Sequence, residues 1–216
     1  MLRSRQRRIH RWRVARLSTL ALGILALASV QAAVVPSLKL QDPQRTRFAE
    51  PPLLLKDFEL VDQDARSFRF SQLRGHAALV FFGFTNCPNV CPPTLQLLRQ
   101  VQRTLRQEGT EVDIVFISVD GERDTPAAMK KYLEPFMPGF VGLTGDPKAV
   151  KDIATEFSAV FFKGMPTDTA GGYNVEHTSQ VYLVDRTGRM RATFFSAPAA
   201  DMEAVTTHFI REKSRD

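Results

Sequence analysis

Cysteine is scarce in this chain of 216 residues: there are two, Cys87 and Cys91, beside four histidines and one tryptophan. So few cysteines exclude a disulfide framework, and no further cysteine or nearby histidine completes a four-ligand structural zinc site at the pair. In an oxidising compartment two cysteines usually mean one disulfide, but a bridge spanning four residues closes a tiny loop and stabilises little. The spacing is poor for a staple and better for chemistry. Repeats and low-complexity blocks are also missing. Acids are absent from residues 1–16, which carry seven arginines. Without those seven, 22 basic residues face 23 acidic ones, so the formal charge of +6 belongs to the tail. It gives no argument for nucleic-acid binding.

An apolar run over residues 17–35 follows the arginines, broken only by Ser18, Thr19, Ser29 and Gln31. A basic segment followed by such a run reads as an export signal. It also approaches the roughly 20 residues that a membrane anchor needs. Residues 1–35 are therefore expected to be a signal sequence or anchor, with the remainder on the periplasmic face of a bacterial inner membrane or exported to the periplasm. An arginine-rich mitochondrial presequence, with the mitochondrial inner membrane as destination, is the alternative. Residues 36–52 are polar and proline-bearing and read as a linker. Residues 53–216 form the expected globular domain.

Within that domain, residues 58–61 and 67–70 suggest a hairpin around Asp62-Gln63-Asp64. Residues 77–84 (AALVFFGF) and 112–119 (VDIVFISV) are continuous apolar runs suited to strands buried on both faces. Between them Leu95, Leu98, Val101 and Leu105 mark a helix that Pro92 and Pro93 open and Gly109 closes. Thr125-Pro126 and Asp146-Pro147 open two more helices. Residues 140–143 form a short strand, 159–162 an extended segment and 163–176 a loop. Residues 179–184 and 190–195 pair as a hairpin, and Met202, Val205 and Phe209 mark a terminal helix. Strand–helix–strand units imply right-handed parallel crossovers. The expected fold is α/β and thioredoxin-like (peroxiredoxin-related), a three-layer sandwich with a mixed sheet.

Cys87 and Cys91 sit just past a buried strand, where open α/β sheets gather ligands. Four residues apart, their sulfurs can share one face of a turn, with Cα atoms about 6 Å apart, within disulfide reach. Helix N-terminal N–H groups favour thiolate. Two thiolates suit Cu(I) or zinc, and imidazole suits either oxidation state of copper. His177 lies between the long loop and the following strand, and Asp120 ends the second parallel strand at the same sheet edge. Copper leads zinc only modestly on this chemistry. A structural disulfide at the pair, a plain loop role for His177 and a capping role for Asp120 remain open. Met165, soft and in the loop, reads as filling; His76 and His208 read as loop and helix-face residues, and His10 lies in the leader.

Residues 81–92 (FFGFTNCPNVCP) resemble the C-P-x-V-C-P signature of the Sco/SenC family. Residues 118–126 (SVDGERDTP) resemble its second motif, and residues 175–178 (VEHT) followed by 181–185 (VYLVD) its third. The resemblance covers roughly residues 53–209. It implies a thioredoxin-like copper protein serving assembly of the CuA centre of cytochrome c oxidase. Copper, as Cu(I) or Cu(II), would bind Cys87, Cys91 and His177, with Asp120 near the site. The implied partners are the CuA-bearing oxidase subunit and other copper-handling proteins. Asn89, Gly121 and Glu176 stand where the family usually has Asp, Pro and Asp, and none of these departures removes a ligand.

Three functions compete: a copper-binding assembly factor; a thiol–disulfide oxidoreductase using Cys87 and Cys91 as its redox pair; and a peroxidase. The second needs the cysteines but no histidine, and redox-active thioredoxins usually have two intervening residues rather than three. The third needs a low-pKa cysteine within a polar cluster, for which the sequence gives no sign.

Overall fold

The computed structural model describes residues 38–166 and 172–212. The segment read as a signal or anchor, residues 1–35, lies outside the described residues. Among the described residues no helix is long and apolar enough to cross a membrane.

The chain runs β1 (Thr46–Leu54), β2 (Glu59–Asp62), β3 (Ser67–Arg69), β4 (Ala77–Gly83), α1 (Cys91–Gln107), β5 (Val112–Ser118), α2 (Pro126–Leu133), β6 (Phe140–Thr144), α3 (Pro147–Glu156), β7 (Phe161–Pro166), β8 (Tyr173–His177), β9 (Val181–Val184), β10 (Arg189–Phe194) and α4 (Ala199–Arg211). Eight strands form one sheet in the order β1-β10-β9-β4-β5-β6-β2-β3. The central three, β4, β5 and β6, are parallel. The outer neighbours pair antiparallel, so the sheet is mixed.

Every residue of β4 is buried, as its unbroken apolar run requires. Its side chains divide the core into two layers. Phe82 packs edge-on against Phe157, at the end of α3, and against Tyr182. Phe81 faces the other way, beside Phe116, whose ring meets Tyr132 of α2. Helix α4 packs against α1. Crossovers β4-α1-β5 and β5-α2-β6 step in one direction, while the route through α3 returns to β9 on the other side of β4. The direction reverses at β4, which makes its carboxyl end a topological switch point. This is the expected thioredoxin-like α/β arrangement.

The helix starts follow from local chemistry. Thr125 Oγ1 accepts a hydrogen bond from Ala128 N at 3.2 Å. Asp146 Oδ1 accepts from Lys148 N and Ala149 N. Each satisfies donors that a first helical turn leaves unpaired.

Two segments differ from their sequence reading. Residues 46–52, whose composition suggests linker, form most of β1, paired with β10. Pro51 and Pro52 fit because β1 is an edge strand and its register shifts between Phe48 and Leu53. The approach to β1 is tied down as well: the Asp201 carboxylate accepts from the backbone N–H of Gln41 at 2.6 Å and Asp42 at 2.9 Å. The second difference is the loop expected at 163–176. Much of it forms the separate two-stranded sheet β7–β8, with Phe161 opposite His177. Glycine and proline obscured the pairing, which is local and antiparallel.

Candidate metal centre

The site forms at the carboxyl end of β4. Phe84 O accepts from Cys87 N at 3.2 Å, turning the chain after the strand. Cys91 opens α1, with Pro92 and Pro93 in the first turn, where their missing N–H groups cost nothing. Cys91 N donates to Cys87 Sγ at 3.4 Å, so the helix terminus aims an N–H at that sulfur. Both cysteines are buried free thiols. Gly83 makes room for them: a Cβ there would lie 2.6 Å from Cys91 Sγ and 2.7 Å from the Phe116 ring.

His177, at the end of β8, completes the group. Its Nε2 lies 3.8 Å from Cys87 Sγ and 3.6 Å from Cys91 Sγ. All three donor atoms fall within 4.8 Å of one another. Nδ1 faces the Thr178 carbonyl at 3.0 Å. With the proton on Nδ1 donated there, the Nε2 lone pair faces the thiols. The Phe81 and Phe84 rings pack edge-on against the imidazole. Burial lowers the His177 pKa and so favours the neutral, ligating form.

Burial pushes the Cys91 thiol well above its ordinary value, with the charge of neighbouring Cys87 adding to the effect. At Cys91 burial works against the thiolate form that a helix terminus favours. Desolvation dominates at a sulfur with no exposed surface. A cation that replaces the Cys91 thiol proton removes that penalty, so this sulfur is better suited to holding a metal than to standing as a free thiolate.

The spacing fits a single soft ion. Bond lengths of about 2.3 Å to sulfur and about 2.0 Å to nitrogen, with angles near 120°, put sulfur and nitrogen about 3.7 Å apart. The observed separations bracket that value. Two thiolates and a neutral imidazole are a soft donor set, suited to Cu(I). Among the described residues the donor group consists of Cys87, Cys91 and His177, one short of the four protein ligands that structural zinc takes.

Asp120 is buried but does not reach the donors. Its carboxylate is taken up by Arg123 Nε and the Tyr173 hydroxyl, each at 2.5 Å. The acid that supports the cysteine loop is instead Asp124, which sequence reasoning passed over. Asp124 accepts from Thr85 N at 3.0 Å, Thr85 Oγ1 at 2.6 Å and Ser118 Oγ at 2.6 Å. Burial raises its pKa, and those hydrogen bonds oppose the shift. Gly121 has its own reason: a Cβ there would overlap the Gly145 carbonyl oxygen. The close approach of those two backbones requires glycine in this chain. Asn89 and Glu176 are exposed, Met165 is exposed in β7, and His76 and His208 lie away from the site.

A protein-family model described as SCO1/SenC matches residues 47–211. A SCO2-like protein of Rickettsia conorii is 37% identical over 149 residues, covering 68% of this chain and 73% of that protein. The solved structure of Bradyrhizobium japonicum ScoI with copper bound is 37% identical, with a TM-score of 0.65, covering 72% of this chain and 99% of that one. A structure of BsSco, described as a member of the Sco family of cytochrome c oxidase assembly proteins with a disulfide switch, is 26% identical. Its TM-score is 0.62, and the match covers 75% of this chain and 96% of that one.

Proposed function

The chain belongs to the SCO1/SenC family, and from that premise we propose that it binds one copper ion through Cys87, Cys91 and His177 and serves assembly of the CuA centre of cytochrome c oxidase. The observation that carries the reading is the convergence of two thiols and one imidazole at separations suited to a single soft ion. Copper here is cargo. The residues receive it, hold it out of contact with bulk water and release it to an acceptor. Cys87, at 8% exposure, is the outer sulfur and Cys91, at none, the inner one. An acceptor thiol would therefore meet Cys87 first. His177 belongs to a separate hairpin and can withdraw without disturbing the main sheet.

The proposed recipient is the CuA-bearing oxidase subunit, with other copper-handling proteins as donors. We place the domain on the periplasmic side, held or exported by the arginine-rich, apolar N-terminal segment. A second activity is favoured by the adjacency of the two sulfurs, which lie within 4.8 Å of each other. Oxidation of both thiols to that bond would release two electrons and two protons, reducing one disulfide in a partner to two thiols. Copper transfer and thiol exchange use the same cysteines, but only the first uses His177.

The test is an anaerobic Cu(I) titration of the reduced soluble domain against a competing chromogenic chelator. Wild type should bind one equivalent. Cys87→Ser and Cys91→Ser should abolish tight binding, and His177→Ala should weaken it strongly while leaving disulfide formation intact. Wild-type affinity in either cysteine variant would refute the proposal.

A further inference from the structure

The hairpin that carries His177 has little core of its own. Among the described residues it pairs with no strand of the main sheet, and along β8 only Val175 is buried. Its base closes on itself, Thr178 N donating to Val160 O at 2.9 Å. At the other end of β8, Tyr173 is fastened to the turn that follows β5. Its hydroxyl donates to Asp120 Oδ1 at 2.5 Å. Arg123 Nη1 donates to the Tyr173 carbonyl at 3.0 Å, and the guanidinium lies 3.7 Å from the ring centroid. Lys163, on β7, approaches the same ring at 3.9 Å and pairs with Glu122 at 2.7 Å. The phenol ring is thus flanked by two cations while its hydroxyl meets a buried carboxylate.

That same turn also holds the other half of the site. Asp124 N donates to Asp120 O at 2.9 Å, and the Asp124 side chain fixes Thr85, two residues before Cys87. One five-residue turn therefore grips the cysteine loop with Asp124 and the histidine hairpin with Asp120 and Arg123.

We propose that Tyr173 and Arg123 are positioning residues: their latch onto Asp120 holds the hairpin so that His177 stays at ligating distance from the two thiols. The proposal deepens the copper-binding reading and rests on His177 being a ligand. Asp120 then acts on the site through Tyr173 and not by contact with copper. The latch is built from hydrogen bonds and cation–π contacts at a partly exposed position, so it can open without unfolding the sheet.

The test combines two readouts. In the metal-free protein, amide hydrogen exchange of residues 173–177 should speed up by at least about tenfold in Tyr173→Ala, which loses both the hydroxyl bond and the ring contacts. In Tyr173→Phe, which keeps the ring, the acceleration should be about threefold. For copper, Tyr173→Ala should weaken Cu(I) binding about tenfold in the wild-type background and less than about twofold in a His177→Ala background, since the coupling runs through the imidazole. Equal losses in both backgrounds, or unchanged exchange across 173–177, would overturn the latch. If His177→Ala alone binds copper as wild type does, the ligand assignment fails, while the exchange rates still decide whether Tyr173 holds the hairpin.

Discussion

Replacing Gly83 with alanine puts a methyl group against the Cys91 sulfur. The added Cβ would lie 2.6 Å from Sγ and 2.7 Å from the Phe116 ring, where ordinary contact begins at 3.4 Å. Relief asks for about 0.8 Å of movement from the sulfur, the ring or the strand. Neither Cys91 nor Phe116 has exposed surface to move into. That displacement exceeds the roughly 0.5 Å within which a binding constellation keeps its geometry. Two effects oppose each other in stability. Alanine restricts the unfolded chain and gains about 0.4–1 kcal/mol, while overpacking a filled core costs about 1–3 kcal/mol. The net expectation is a loss of about 1–2 kcal/mol in the reduced, metal-free domain. Copper affinity should fall further, by more than about tenfold, because the displaced sulfur is one of the three proposed ligands. Urea denaturation measures the first quantity and Cu(I) competition the second. Stability and copper affinity both equal to wild type would refute the reasoning that Gly83 makes the space for Cys91.

Two further outcomes follow from the acids. Asp124→Ala leaves the Thr85 and Ser118 hydroxyls and the Thr85 N–H without their buried acceptor; a loss of about 2–4 kcal/mol in urea denaturation is expected, and an unchanged midpoint would contradict it. Asp185 is held below its usual pKa: burial pushes it up, but hydrogen bonds from Thr187, the Arg189 N–H and Arg191 outweigh that. A depressed carboxyl stabilises the fold above its unfolded value near 3.9 and loses that contribution as pH falls through the folded value. Asp185→Asn should therefore cost about 1–2 kcal/mol at pH 7 and less at pH 3; an equal cost at both would contradict the assignment.

The central strands, the helix starts and the cysteine pair are legible in the sequence because each leaves a local mark. β4 and β5 are unbroken apolar runs, Thr125-Pro126 and Asp146-Pro147 punctuate, and Cys87 and Cys91 share a spacing. Copper over zinc, and the place of His177, came from the family motifs rather than from spacing alone. Strand β1 was hidden because an edge strand tolerates polar residues and proline that a central one does not. The β7–β8 hairpin was hidden by Gly164, Pro166, Gly171 and Gly172, and by having almost no buried face to impose a period of two. Asp120 and Asp124 look alike in the second motif. Only the fold shows that one faces the hairpin and the other the cysteine loop. The roles of Tyr173 and Gly83 depend on contacts between distant segments, which no local pattern announces.

The central claim is that two sulfurs and one imidazole nitrogen hold a single copper ion. X-ray absorption at the copper edge of the anaerobic Cu(I)-loaded protein tests it most directly. The expected spectrum has two sulfur scatterers near 2.3 Å and one imidazole nitrogen near 2.0 Å, roughly the lengths such donors take. In His177→Ala the nitrogen shell should disappear and both sulfurs remain. A wild-type spectrum without the imidazole, or one that His177→Ala leaves unchanged, would contradict the account.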